Sequence, residues 1–159
     1  MILLSIDTGT TKSAYVMVDT NTYKIEESGK VDNEKMMEIA RFGYYDACVI
    51  EMFSSYGMRV GKEVFESVVM VGRLMEAVYY RKGFNAERIA RNKVKQFVCQ
   101  KGGSVKDADV IQVLKDRFGG KGTKKEPGFF FGVSADQWQS FGLSVAYIDM
   151  KKEGVPFYE

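Results

Sequence analysis

The stretch Met1-Ile2-Leu3-Leu4-Ser5-Ile6-Asp7-Thr8-Gly9-Thr10-Thr11 decides the fold of this protein. Its first six residues are mostly apolar, as in a buried strand, and the run ends at a carboxylate that is followed at once by turn-forming residues. A carboxylate is costly to remove from water unless a cation or hydrogen-bond donors meet it. We therefore expect a positive group next to Asp7.

Two further acids occupy comparable positions. Glu51 lies near the end of a second short apolar strand, and Asp136 precedes a long apolar stretch. Convergence of these two acids with Asp7 on one point predicts a shared metal site. Each acid also has a structural interpretation. Asp7 can form an ordinary hairpin corner, and Asp136 can complement the positive end of a helix that Ser134 caps.

The length of 159 residues suits one domain with a core of its own. The opening apolar run is broken too early, by Asp7, for a signal peptide or a membrane span. Cys48 and Cys99 stand far apart with no C-x-x-C pair, which is typical of a reducing compartment. These features predict a cytoplasmic protein without a membrane partner.

The chain contains no histidine. Catalytic triads that use histidine, histidine metal ligands and an imidazole general base are therefore excluded. A metal in this protein must be held by oxygen atoms, and oxygen ligands favour hard cations such as Mg²⁺ or Mn²⁺.

The net charge of +2 conceals a strong asymmetry. Residues 81–125 contain thirteen Lys or Arg and four Asp or Glu, a net charge of +9, so the rest of the chain carries −7. A self-repelling basic cluster predicts a polyanionic partner such as nucleic acid, although a solvated surface is the alternative. Lys95 and Lys106 are the expected phosphate contacts, and Arg91 and Lys93 are candidates for the same role.

Hydrophobic periodicity predicts an α/β fold. The predicted strands cover residues 3–6, 14–18, 23–31, 47–53 and 84–90, and the predicted helices cover 34–42, 62–82, 92–100, 105–118 and 134–150. The helix between the third and fourth strands lets the fourth pair parallel to the first, which places Asp7 beside Glu51. Ser104 and Asp107 form a capping-box pattern. The Gly-rich segment 119–128 is expected to lack order without a partner.

The order of these elements resembles the ribonuclease H-like fold, a mixed five-stranded sheet of order 3-2-1-4-5 flanked by helices. Within that superfamily the chain resembles the RuvC Holliday junction resolvases over nearly its whole length. The matching motifs are Asp7-Thr8-Gly9, Ile50-Glu51, the segment 92–98, the run Gly102-Gly103-Ser104-Val105-Lys106 and Ser134-Ala135-Asp136.

This resemblance implies a two-metal endonuclease that cleaves branched DNA, with two Mg²⁺ or Mn²⁺ ions per site. Asp7 would bridge the ions, and Glu51 and Asp136 would each complete the shell of one ion. Lys106 would lie near the DNA backbone, and Phe53 near the branch point of the junction.

A nearly two-fold symmetric junction that is cut on two opposing strands also requires a homodimer. Helix 62–82 is the expected contact between the two copies, through the added apolar surface of Met70 and Tyr79.

The sequence departs from the RuvC pattern at Val133, where these nucleases usually carry a fourth acid or a histidine. Three carboxylates and water can suffice, or Asp107 or Asp109 can join the metal shell, or activity can be weak. A module that binds branched DNA without cleaving it is therefore an alternative. The segment 6–12 also resembles the first phosphate loop of sugar kinases and actin-like ATPases, but such enzymes need a second domain.

Overall fold

The computed structural model describes residues 1–55 and 57–158. Within these residues it contains a mixed sheet and two layers of helices. The elements are, in chain order, β1 (Ile2–Asp7), β2 (Lys12–Asp19), β3 (Ile25–Asp32), α1 (Asn33–Phe42), β4 (Ala47–Met52), α2 (Lys62–Lys82), β5 (Glu87–Ala90), α3 (Arg91–Cys99), α4 (Asp107–Phe118) and α5 (Ala135–Glu153).

The strand order is β3-β2-β1-β4-β5, which confirms the predicted fold. β1 pairs antiparallel with β2, and β2 with β3, because short turns join them. β1 pairs parallel with β4, and β4 with β5, because helices make the crossovers. The carboxyl ends of β1, β4 and β5 therefore lie together at one edge of the sheet.

Side chains on β1 alternate between the two faces of the sheet. Leu4 and Ile6 pack in the core formed with α1 and α2. Leu3 packs in the core formed with α3, α4 and α5. Ser5 and Asp7 follow Leu3 at intervals of two residues, so they face this second helical layer. Along the described residues, no helix is long and apolar enough to cross a membrane.

Several element boundaries differ from the sequence-based prediction, and three of them bear on the strand and helix starts. β3 begins at Ile25 because Tyr23 adopts a left-handed conformation with φ of 61° in the turn after Asp19. β5 begins at Glu87, three residues later than predicted. α4 begins at Asp107, so the prediction of Ser104 as its cap is wrong.

The cap of α4 lies two residues further along the chain. The backbone N–H of Lys106 donates a hydrogen bond of 3.2 Å to the Asp109 carboxylate. Asp109 therefore satisfies a backbone donor at the start of the helix.

The segment 119–128 adopts a defined turn, in contrast to the expected lack of order. A bridge pairs Gly122 with Pro127, and the Gly128 N–H donates to the Lys121 carbonyl at 2.8 Å. A Cβ atom on Gly128 would lie 2.3 Å from the Gly120 carbonyl oxygen. The glycines here allow two backbone segments to approach closely, as well as providing freedom of rotation.

Candidate active site

Asp7 and Glu51 lie side by side at the carboxyl ends of β1 and β4. Ile6 is in register with Ile50, so the two acids occupy the next position on each strand. Burial raises the pKa of Glu51 to about 8, with the Asp7 charge adding to the effect. Burial also raises the pKa of Asp7, although the Arg91 charge and a hydrogen bond with the Glu51 carboxyl oppose this. The pair therefore tends to hold a proton.

The positive group expected beside Asp7 is the guanidinium of Arg91. It donates a hydrogen bond from Nη1 to Glu51 Oε2 at 3.1 Å and another from Nη2 to Asp107 Oδ2 at 3.3 Å. One helical turn later, Lys95 Nζ lies 2.5 Å from Asp107 Oδ1. Burial opposes ionisation of Asp107, but the contact with Lys95 and the charge of Arg91 lower its pKa. Arg91 thus links a buried acid to a half-exposed one.

Strand register explains why Arg91 reaches this place. Glu51 is in register with Ile89 on β5, and Arg91 follows Ile89 by two residues, on the same face of the sheet. The sequence marked Arg91 only as a DNA contact and missed its pairing with Glu51. The spacing from Ile89, together with a parallel β4 and β5 pair, was the available signal.

Asp136 starts α5 and is engaged elsewhere. Its Oδ2 lies 2.6 Å from Lys30 Nζ, and both side chains are about half exposed. Lys30 is in register with Ala14, and Ala14 with Asp7, so Lys30 and Asp7 lie in one row across the sheet. Asp136 is nonetheless near enough for its charge to raise the pKa of Asp7. Sequence analysis missed Lys30 because its position depends on the register of two strand pairs.

The half-buried Asp7 and the buried Glu51 fit a hard divalent cation, since they offer carboxylate oxygens that a cation can hold in their ionised form. No group of three Asp, Glu or Cys side chains within residues 1–55 and 57–158 is arranged to hold a metal ion. Both oxygens of Asp107 contact basic groups, so it would have to release one of them before joining such a site, whereas Asp136 contacts Lys30 through Oδ2 alone. Asp7 and Glu51 are therefore the candidate ligands, and Asp107 and Asp136 lie nearby.

The turn after Asp7 is tightly built. A Cβ atom on Gly9 would lie 2.3 Å from the Lys12 carbonyl oxygen, so only glycine fits there. The Asn33 amide donates to the Gly9 and Thr10 carbonyls at 3.0 and 3.1 Å, and its Oδ1 accepts a hydrogen bond from Ser13 at 2.7 Å. Asn33 therefore fixes the turn that positions Asp7.

α5 presents a line of polar side chains to β1. Ser144 donates to Ser5 Oγ at 2.7 Å, and Ser140 lies one turn nearer to the start of the helix. One turn of helix and two residues of strand each span about 6 Å, which brings Ser140 to the level of Asp7. The Ser140 hydroxyl is buried and has no hydrogen-bond partner among the described residues. It is a spare polar group beside the acids.

The Val133 side chain is buried in the core on the α5 side of the sheet. It supplies no ligand, and its neighbours in that core are hydrophobic. Of the two alternative acids, Asp109 caps α4, whereas Asp107 contacts Arg91 and raises the pKa of Asp7. Asp107 is the one that lies at the acid pair.

The residues predicted to contact DNA differ in how exposed their side chains are. Lys106 is exposed at the start of α4, and Lys93 is half-buried on α3. The Lys95 side chain is only 13% exposed and points to Asp107. Phe53 follows the end of β4 and is half-buried. Lys106 is thus the most accessible of these cations, and Lys95 is already paired.

No protein-family model matches the sequence, and a search of curated proteins also gives no match. Two solved structures of RuvC from Thermus thermophilus are similar to this chain. The first has a TM-score of 0.72 at 14% identity and covers 98% of both chains. The second, RuvC in complex with a Holliday junction substrate, has a TM-score of 0.71 at 14% identity and covers 98% of this chain and 97% of the other. The chain therefore has the ribonuclease H-like fold of RuvC.

Proposed function

We propose that this protein is a divalent-metal-dependent endonuclease that cleaves branched DNA, with a four-way junction as the preferred substrate. The observation that carries the proposal is the pair formed by half-buried Asp7 and buried Glu51 at adjacent strand ends, beside a strongly basic segment, in a chain with the RuvC fold. A pair of adjacent acids with raised pKa values is typical of a functional site. The similar RuvC structure contains a Holliday junction.

Phosphodiester hydrolysis needs an activated water molecule and a stabilised leaving oxygen. When bound, two Mg²⁺ ions would supply both, one at each end of an in-line displacement. Asp7, between Glu51 and Asp136, is the proposed bridging ligand. Glu51 must lose its proton before it can bind a cation, so metal binding is coupled to proton release. Asp136 would join through Oδ1 or by releasing Lys30 from Oδ2.

Arg91 has two roles in this proposal. Before metal binds, its guanidinium compensates the charge of Glu51 and holds the side chain in place through Nη1. With a cation held by Glu51, Nη1 would be released to donate to a phosphate oxygen, while the bond from Nη2 to Asp107 would hold the guanidinium near the acids. The contact of Lys95 with Asp107 supports that arrangement.

A module that binds branched DNA without cutting it is the second candidate. It is favoured by Val133, which is packed in the core where the resemblance expects a ligand, and by the engagement of Asp136 with Lys30. Under this alternative the basic segment still binds DNA, and the acid pair is a remnant that holds a proton.

The deciding experiment compares a four-way junction with a linear duplex of the same sequence. We expect cleavage of the junction in Mg²⁺ or Mn²⁺ and little cleavage of the duplex. Cleavage that persists in excess chelator would contradict the metal-dependent mechanism. Junction binding without cleavage in either metal would favour the non-cleaving module.

We also propose that the protein acts as a homodimer through α2. Phe65, Val69 and Tyr79 are 61%, 60% and 53% exposed and recur along one side of this helix. Met70, predicted to contribute, is only 3% exposed and packs in the core, so that part of the prediction is wrong. Val69→Glu should convert a dimer to a monomer in light scattering. The control is Tyr44→Glu, at a highly exposed residue outside α2, which should leave the mass measured by light scattering unchanged.

A further inference from the structure

A cavity of about 300 Å³ lies between the ends of β4 and β5 and the C-terminal tail. We call it the tail pocket; its lining includes Met52, Ser54, Arg88, Lys93, Phe157 and Tyr158. Met52 directly follows Glu51 and is in register with Ala90, which directly precedes Arg91. The tail pocket therefore shares its strand ends with the candidate active site.

The aromatic wall of the tail pocket is fixed in place. The Tyr158 hydroxyl accepts a hydrogen bond from the Arg88 backbone N–H at 2.7 Å and donates one to Glu87 at 3.0 Å. The Phe157 ring stacks on Tyr147 of α5, with centroids 4.9 Å apart. These contacts attach the tail to both β5 and α5. The tail therefore offers a preformed aromatic surface.

The tail pocket also contains an unused hydrogen-bond donor. The Arg88 Nε atom is buried and has no partner among the described residues. The Arg88 guanidinium lies 5.5 Å from the centroid of the Tyr158 ring, and Tyr158 is 47% exposed. Lys93, on the first turn of α3, adds a positive charge to the lining. Aromatic rings, an unpaired donor and positive charge together suit a flat heterocycle that carries acceptor atoms and a phosphate.

We propose that the tail pocket receives one unstacked nucleobase of the DNA strand that lies at the active site. This inference rests on the proposed function and adds to it a reason for preferring branched DNA. Taking a base out of a duplex costs free energy, and the cost is lower where pairing or stacking is already interrupted, as at a branch point. The size of the cavity is at the lower end of ligand pockets and suits a single base.

The test uses equilibrium binding in chelator, so that no strand is cut. Wild-type protein is titrated with an intact four-way junction and with junctions in which one nucleotide at the branch point is abasic, each branch nucleotide in turn. One abasic position should weaken binding about tenfold, as expected for loss of a single base stacked on an aromatic ring. Tyr158→Ala should bind the intact and the abasic junction equally, because the partner of the base is gone.

Two further variants keep this test independent of tail folding. Tyr158→Phe preserves the ring and should still discriminate against the abasic junction. Ser54→Trp fills the cavity from the loop after β4, leaves Phe157 and Tyr158 unchanged in sequence, and should abolish the discrimination.

The proposed role of the tail pocket would be overturned if no abasic position weakened binding by the wild-type protein. It would also be overturned if an abasic position weakened binding equally in the wild type and in Tyr158→Ala. With metal-dependent junction cleavage intact, either outcome leaves the proposed function standing. Absence of any junction binding would overturn both.

Discussion

Two clusters in this molecule pair a carboxylate with an arginine, and the pairing has opposite consequences in each. At the strand ends, Arg91 contacts Glu51, yet the pKa of Glu51 rises to about 8. On α5, Asp149 accepts hydrogen bonds from Arg117 and Tyr23, both at 2.5 Å. Burial opposes ionisation of Asp149, but these two bonds outweigh it and lower its pKa.

The difference lies in the neighbours of each carboxylate. Glu51 has one arginine and a second acid, Asp7, in a deeply buried position, whereas Asp149 has several donors and no acid among the contacts that determine its pKa. An ion pair whose charges balance supports the fold, while one with surplus negative charge is poised to take up a cation. The balanced arrangement at Asp149 is structural, and the arrangement at Glu51, with its surplus negative charge, is the one expected of a functional site.

The largest expected effect is on the rate of junction cleavage, which should depend on the acids at the strand ends and not on Asp149. Asp7→Asn removes a proposed metal ligand. Because metal ions stabilise the transition state by several kcal/mol, the variant should cleave the junction roughly a thousandfold more slowly. Asp149→Asn should leave the cleavage rate unchanged once the protein is folded. Single-turnover cleavage of a four-way junction measures both. Equal rate losses in the two variants would erase the distinction.

The second prediction concerns pH in the absence of metal. The Glu51 pKa rises from 4.5 in the unfolded chain to about 8 in the fold, so the folded protein holds the proton more tightly. Its contribution to the free energy of unfolding is fully present below pH 4.5 and is lost as the pH rises to 8, by at most about 1.4 kcal/mol per pH unit. Urea unfolding at pH 5 and pH 8 measures this loss.

Glu51→Gln is the control for this measurement and should flatten the dependence. Asp149, with its lowered pKa, contributes stability that is present above its ordinary value of 3.8 and is lost only as the pH falls below it. Its contribution is therefore constant between pH 5 and 8 and adds nothing to the pH dependence measured there. A wild-type protein that is equally stable at pH 5 and 8 would contradict the raised pKa of Glu51.

The third prediction concerns stability at neutral pH. Asp149→Asn leaves Arg117 and Lys152 without their carboxylate neighbour, and the lost charged hydrogen bonds should lower the free energy of unfolding by about 2 kcal/mol. Asp7→Asn should raise the stability of the metal-free protein, because it removes the repulsion on Glu51. Thermal unfolding in chelator compares the two. A stability loss in Asp7→Asn similar to that in Asp149→Asn would contradict this account.

The smallest expected effect tests the DNA contacts. Lys106→Gln should reduce the slope of log K against log salt by about 0.9, the value for one phosphate contact on duplex DNA. Lys95→Gln should change the slope less, because Lys95 is largely buried and already paired with Asp107. Fluorescence titrations of junction DNA at several salt concentrations measure both slopes. An unchanged slope in Lys106→Gln would place the DNA elsewhere.

The fold and the proximity of Asp7 to Glu51 could be predicted from the sequence, because both follow from the short apolar strands and from the parallel pairing of β1 with β4. It did not reveal the bond between Lys30 and Asp136, which requires the register of two strand pairs and the approach of α5. It also failed for Met70, because periodicity along α2 does not show how wide the buried face is. Long-range register and helix rotation are set by packing of the whole chain.

The uneven distribution of charge along the chain has a consequence for encounter rates. The segment with a net charge of +9 contains β5, α3 and α4, which flank the acid pair, and the remainder of the molecule carries −7. A protein with this separation of charge is an electric dipole, and the field of a polyanion turns it during diffusion so that the basic side leads. Approach by the opposite side is repelled. The first collision is therefore biased towards the side that carries Lys106 and Arg91, and this bias fades as salt shortens the range of the field.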